Sequence, residues 1–224
     1  MLEFYRWDRG QDRIMPSPLE KARQEPESMK GRILAAARRL FGEYGFSGVT
    51  TRMLAREVGI DISTLYYHWG EKQDLYDAVM ADLSCEIRAK LREIEGMVRG
   101  ATLSHRLEVA IDVMCDWLFD HPEAARLMLS SYMGKSRSAP DAHVPIKEHI
   151  ANIAVAMGLA LDRTRVPARA NARVLTVWNS AVNFTAGEDF FLPMLGVDRD
   201  EYRSVVKETL KFILIPAFTL PPAA

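Results

Sequence analysis

Hydroxyl, phenol, imidazole and cationic side chains crowd the stretch from Thr50 to Lys72, where Thr50, Thr51, Arg52, Ser63, Thr64, Tyr66, Tyr67, His68 and Lys72 follow closely. These groups donate and accept hydrogen bonds, and their spacing is that of two short helices. Met53, Leu54 and Val58 recur at helical spacing behind threonines suited to N-capping. Gly59 supplies the backbone freedom that ends this helix, and Asp61 is a good N-cap for the next. Ile60 and Leu65 then pack inward, while Ile62, Ser63, Tyr66 and Tyr67 stay on or near the outer face. Two helices joined by a tight glycine turn form a helix-turn-helix, which presents a short helix to the DNA major groove.

Bond-making chemistry is not expected. The chain has no Gly-x-Ser-x-Gly, no phosphate-cradling loop and no His-Glu-x-x-His. Cys85 and Cys115 sit in helical patterns, form no close metal-type pair, and read as buried free thiols of a reducing cytosol. His105, His121, His143 and His149 are not spaced as ligands, so neither a metal nor another cofactor is expected. A formal net charge of -1 carries no global signature of nucleic-acid binding, which confines any DNA contact to a local patch. The chain of 224 residues, 48% hydrophobic and 26% charged, has the composition of a soluble globular protein with a sizeable core. No apolar run reaches the roughly 18 residues of a membrane span and no secretory h-region opens the chain, so a cytoplasmic protein is expected.

The elements that must position the helix pair are helical throughout. Residues 1–27 mix Arg6, Arg9 and Arg13 with acids and prolines and read as a flexible arm, either entering a minor groove or left as a disordered extension. Ser28 caps a helix with Ile33, Ala37, Leu40, Phe41 and Tyr44 on one face, stopped at Gly45. Residues 28–70 thus make a three-helix head. A long helix from about Glu71 to Gly96 carries Leu75, Val79, Leu83, Ile87, Leu91 and Ile94 and joins the head to a second helical body, residues 71–217. Its later helices are marked by Leu107 to Leu118, by Pro122, by Ile146 to Leu161, by Pro167 to Ala186, and by Asp198 to Ile215, with Asp198 and Glu201 as a capping box. Gly134 to Asp141 reads as a loop, and residues 218–224 as a tail beyond Pro216. The fold class is all-α.

The run Ile33-Leu34-Ala35-Ala36-Ala37, Leu40-Phe41, Gly45-Phe46, Val49-Thr50-Thr51, Leu54-Ala55, Val58-Gly59-Ile60, Thr64-Leu65-Tyr66-Tyr67-His68-Trp69, Lys72 and Leu75 resembles the N-terminal domain of tetracycline-repressor (TetR) family transcriptional regulators. The resemblance implies an all-α homodimer whose C-terminal domain binds a small-molecule effector and dimerises. It makes Ile62 to Tyr67, Thr64 included, the recognition helix, puts Tyr66 and Lys72 at phosphates, and favours phosphate at the free amides of Thr50, Thr51 and Arg52. Ser63 and Tyr67 become candidates for base edges and Ile62 for a thymine methyl. His68 is either a phosphate contact or a helix-end packing residue; Trp69 is core. Ile62 stands where many relatives carry a polar or basic side chain, which argues against guanine readout there.

In the body, Met114, Trp117, Met128, Tyr132, Met157 and Trp178 offer adaptable apolar surface for an effector or simply fill the core. Asn179 and Asn183, one turn apart, hydrogen-bond a ligand, sit at a solvated edge, or pair across a dimer. Val174, Val177, Ala181, Tyr202, Val205, Val206, Thr209, Leu210 and Ile213 of the last two long helices are the candidate dimer face. The function implied is a ligand-responsive repressor acting on a palindromic operator in double-stranded DNA, the alternatives being a regulator controlled by a protein partner or by its own abundance and, remotely, a helical enzyme.

Overall fold

Side-chain caps set where the helices of the N-terminal half begin. Ser17 Oγ accepts from the Glu20 N–H while the Glu20 carboxylate accepts from the Ser17 N–H, a closed capping box that opens α1, Pro18–Gln24. Ser28 accepts from Gly31 N–H at the start of α2, Met29–Gly48. Thr50 accepts from Met53 N–H ahead of α3, Thr51–Val58, and Asp61 from Thr64 N–H ahead of α4, Ile62–Trp69. Glu71 precedes α5, Lys72–Met97, which at about 1.5 Å per residue spans roughly 39 Å.

The computed structural model describes residues 17–133 and 144–219, and at 133 and 144–149 the backbone alone. Six further helices complete it: α6, Leu103–Asp120; α7, Pro122–Met133; α8, Val144–Ala156; α9, Ala168–Ala186; α10, Glu188–Leu195; and α11, Arg199–Thr219. No strand occurs among the described residues, and none of their helices is long and apolar enough to cross a membrane. The fold is all-α: an N-terminal helix-turn-helix domain followed by a C-terminal helical domain.

Ile33, Ala37 and Phe41 of α2 are fully buried. Phe41 meets Tyr76 of α5 edge-on at 5.2 Å, and Phe46 meets the same ring at 5.0 Å. From there one core runs through Leu75, Val79 and Leu83 of α5 and Leu118 of α6 to Val182 of α9 and Tyr202 and Val206 of α11. A smaller cluster, Ala154, Ala170 and Val174, lies between α8 and α9. Along the edge of the α6–α11 seam Asp112, Asp116 and Asp120 pair with Lys211, Lys207 and Arg203 at 2.6, 2.7 and 3.1 Å. Acids ascending one helix meet cations descending the other, so the two run antiparallel. Cys115 is sealed behind this ladder, and burial pushes its thiol up to about 12.

Several expectations are corrected. Residues 18–24 are helix rather than arm: Ala22 is buried, and Arg23 Nε donates to Asp82 Oδ1 at 2.6 Å. A helix of seven residues is too short to show a sustained period. Gly45, at φ 66° and ψ 171°, breaks the helix where expected, but one more turn follows to Gly48. The helix expected to reach Leu161 ends at Ala156, leaving Leu161 fully exposed. Residues 188–195, between the helices expected to end at Ala186 and to begin at Asp198, form a short helix of their own, and α11 continues past Pro216 to Thr219. Cys85 is half-buried rather than buried; burial raises its thiol, but hydrogen bonds from Arg23 and Arg88 prevail and hold it below the ordinary thiol range. The loop expected over Gly134 to Asp141, the arm up to residue 16 and the tail from residue 220 lie outside the described residues, as do the side chains of His143, Ile146 and His149.

Apolar burial at the α6–α11 seam should outweigh its charged edge. Phe119→Ala, which removes the ring packed on Tyr202, is expected to cost about 3–5 kcal/mol and Lys207→Ala about 1 kcal/mol or less, as read by urea unfolding; the reverse order would make the ladder, not the seam, what holds α11.

Candidate nucleic-acid interface

The two short helices are fixed to α2 from behind by cations on their C-terminal carbonyls. Arg32 Nη2 donates to Val58 O at the end of α3, at 3.1 Å, and Lys30 Nζ donates to His68 O near the end of α4, at 3.1 Å. A helix C-terminus carries partial negative charge and unsatisfied carbonyls, so each cation does double duty. Trp69, buried, returns a bond from Nε1 to Lys30 O at 3.2 Å. Between the helices Gly59 adopts φ 75° and ψ 37°, left-handed geometry that suits glycine, and Ile60 N–H donates back to Ala55 O at 2.9 Å.

With Leu65 and Trp69 turned inward, the outer face of α4 is Ile62, Ser63, Tyr66 and Tyr67, all exposed. Tyr67 is 85% exposed, its ring edge-on to His68 at 5.1 Å. Asp61 organises the start of this helix: Oδ1 accepts from Ser63 Oγ at 2.5 Å and from Thr64 N–H at 2.7 Å, and Oδ2 accepts from Thr64 Oγ1 at 3.1 Å. The Ser63 hydroxyl and then the Thr64 groups hold this carboxyl below the usual range. Because the Ser63 proton points at Asp61, the oxygen is left to accept, which suits an amino group on a base edge. The Thr64 hydroxyl is likewise engaged.

Arg52 and Arg56 of α3 are exposed. The Thr50 hydroxyl covers Met53 N–H, and Leu54 N–H reaches Thr50 O, so the amides of Thr51 and Arg52 point out of the first turn, a place where helix geometry favours phosphate. Lys72 differs from expectation: its ammonium donates to Phe46 O at 2.9 Å and Val49 O at 2.8 Å and lies 4.2 Å from the Phe46 ring. It ties down the turn that leads into α3. His68 is half-buried, and desolvation, then the charge of Lys30, lowers its pKa and favours the neutral imidazole. Sequence reasoning missed Lys30 and Arg32, whose partners lie 38 and 26 residues away and leave no local signal.

The effector candidates do not gather at one place. Met114 and Met128 are buried in the main core, where they fill space between helices. Trp117 stacks on His121 at 5.1 Å. Trp178 Nε1 donates to Tyr132 Oη at 3.3 Å, which joins α9 to α7. Met157 belongs to the separate α8–α9 cluster, and Asn179 and Asn183 are exposed.

The candidate dimer face is corrected more sharply. Val174, Ala181, Tyr202, Val206 and Leu210 are buried within their own chain, because that side of α9 and α11 closes the core. Tyr202 even spends its hydroxyl on Phe184 O, at 2.9 Å. Val177 and Val205 are half-buried, while Thr209 and Ile213 are exposed. Leu175 and Phe212, not foreseen, join them on the outer side, Phe212 at 80% exposure.

A family model described as bacterial regulatory proteins, tetR family, matches residues 33–79, from α2 through α3 and α4 into α5. The HTH-type transcriptional repressor AcnR of Corynebacterium glutamicum is 29% identical over 145 residues, covering 56% of this chain and 76% of the relative. AcnR of Corynebacterium efficiens is 30% identical over 142 residues, covering 55% and 74%. The structure of the ketosteroid transcriptional regulator KstR2 of Mycobacterium tuberculosis superposes with a TM-score of 0.60 at 17% identity, over 84% of this chain and 93% of that one.

Tyr67→Ala removes an exposed ring without touching the core, so thermal stability should be unchanged. Its specific DNA binding should fall by about 1–3 kcal/mol, measured by competition between a selected duplex and bulk DNA; an equal loss on both would remove Tyr67 from base readout.

Proposed function

The chain belongs to the TetR family of transcriptional regulators, and from that premise we propose that it is a repressor that grips a palindromic operator as a homodimer and lets go when a small molecule enters its C-terminal domain. The observation that carries this reading is the outward face of α4. Ile62, Ser63, Tyr66 and Tyr67 are exposed on a helix whose other side is pinned by Trp69, Lys30 and the Asp61 cap. Phosphate contacts from Arg52, the α3 amides and Tyr66 set the register, and Ser63, Tyr67 and Ile62 read bases.

Dimerisation supplies the second half-site. Leu175 on α9 and Phe212 and Ile213 on α11 offer exposed apolar area that a second copy would cover. In such a dimer the recognition helices sit about 34–36 Å apart, one turn of DNA. An effector entering between α7 and α9, beside the contact of Tyr132 with Trp178, would shift α5 and alter that spacing. A coupling of about 1–3 kcal/mol is enough to change operator affinity roughly 5–150-fold.

Selection of genomic fragments by the purified chain, followed by sequencing, tests the reading. A shared palindrome is the expected result; no enrichment over bulk DNA would refute it. Small molecules related to the products of the adjoining genes should then release the selected duplex. Phe212→Glu should shift sedimentation from dimer to monomer and weaken operator binding at least tenfold, and an unchanged dimer would place the interface elsewhere.

A further inference from the structure

The exposed apolar surface of the body is gathered on three consecutive helices. Among its described residues, the large apolar side chains exposed elsewhere are Met97, Tyr132 and Leu161, each on a separate part of the chain. On α9, α10 and α11 six are exposed: Leu175, Phe190, Met194, Leu195, Phe212 and Ile213. Three of those six belong to α10, a helix of only eight residues. Beyond Glu188 and Asp189 its sequence is apolar throughout, and a helix that is apolar all round is ordinarily a buried one. Phe191 and Leu192 pack against the core, Phe191 meeting Phe184 at 5.7 Å. Phe190 and Met194, one turn apart, are left 68% and 70% exposed, and Leu195 49%.

This helix is fastened, and its place in the body is definite. Arg199 Nε lies 2.9 Å from the buried Glu188 carboxylate, and Arg126 of α7 donates to Asp189 at 2.9 Å. Glu123, on the same turn of α7 as Arg126, receives Arg38 of α2. α10 therefore sits at the end of the body on which the head leans. Phe212 lies toward the other end of α11, roughly 20 Å from its first residue at about 1.5 Å per residue. The apolar area of these helices thus falls at both ends of the α9–α11 pair.

We propose that α10 is the head-side anchor of the homodimer, with Phe190, Met194 and Leu195 packed against a second copy of this chain. The anchor rests on the homodimer reading, which puts Leu175, Phe212 and Ile213 at the interface, and adds a second contact to it. Area favours this occupant. A stable interface takes about 800 Å² from each partner, more than half of it apolar. Large apolar side chains offer roughly 150–250 Å² when fully exposed, so Leu175, Phe212 and Ile213, at 36%, 80% and 56%, supply only roughly 300 Å². The three side chains of α10 supply about as much again. Symmetry favours it too. Two recognition helices that read one duplex must lie on the same side of the dimer, so the two-fold axis runs from heads to bodies and like ends of the two copies come level. Contact at both ends then resists the rocking of one copy on the other that a single distal contact would permit.

Sedimentation of the full chain over a range of concentrations tests the anchor, comparing the double variant Phe190→Lys, Met194→Lys with Phe212→Glu. The substituted side chains are exposed, so helix content by circular dichroism should stay that of the wild type. The α10 variant should dimerise about tenfold more weakly than the wild type or worse. If it dimerises as tightly as the wild type while Phe212→Glu is monomeric, the anchor is overturned and the homodimer reading stands. A wild type that is monomeric throughout overturns both. A weakened α10 variant beside an unchanged Phe212→Glu supports the anchor and moves the rest of the interface away from Phe212. A segment of the same chain is the rival cover: a melting temperature lowered equally at all concentrations, with dimerisation unchanged, would identify it and refute the anchor. Should the lysine variant lose helix content, Phe190→Ala with Met194→Ala, which adds no charge, decides by the same sedimentation criterion.

Discussion

Burial of one helix against both halves of the molecule is the constraint on which the rest depends. Ile33, Ala37 and Phe41 of α2 are fully enclosed, by the helix pair on one side and by α5 and α7 on the other. Because the same helix belongs to the core of the head and to that of the body, neither can move without disturbing it. Removing apolar surface from water, at about 25 cal/mol per Å², is a strong but undirected driving force. Direction comes from polar pins at the ends of the packed helices: Lys30 and Arg32 on the carbonyls of α4 and α3, and Lys72 on those of Phe46 and Val49.

That division of labour explains the exposed face of α4. A helix of eight residues is too short to persist alone, since the first turn costs more order than it returns. Its cap, to which the Ser63 hydroxyl contributes, its buried Leu65 and Trp69 and the Lys30 bond supply the missing stability, leaving the side chains of Ile62, Tyr66 and Tyr67 on the open face. A large rigid ring such as Tyr67 loses little entropy on contact, so exposing it on a fixed helix suits recognition. In this near-neutral chain the free positive charge of the region is local: Arg52 and Arg56 stand exposed, while Lys30, Arg32 and Arg38 of α2 donate to partners within the chain.

The body is held by different means on its two sides. Toward α6, α11 is fastened by a continuous apolar seam and three ion pairs along its edge. Toward α8 the contacts are those of a small separate cluster, with Arg106 donating to Ala156 O at 2.9 Å as a tie. A domain built this way yields first where its core is thinnest, on the α8–α9 side, and stays put along α11.

The sequence by itself determined what is local. Ser28, Thr50 and Asp61 cap the helices they were expected to cap, Gly59 makes the turn, and Asp198 accepts from Glu201 N–H, because capping and turn chemistry act over three or four residues. The all-α class and the helix pair followed from the same short-range rules, as did the outward position of Ile62, Ser63, Tyr66 and Tyr67. Tertiary structure alone decided which face of a long helix looks inward. On α9 and α11 apolar residues occur on more than one side, so periodicity could not tell Tyr202, Val206 and Leu210, which close the core, from Leu175 and Phe212, which face out. It alone also decided where the long cations go: Lys72 to two carbonyls, Arg38 to α5 and α7. Their partners lie from about twenty to more than eighty residues away in the chain, and no local rule ranks such pairings until packing has brought the helices together.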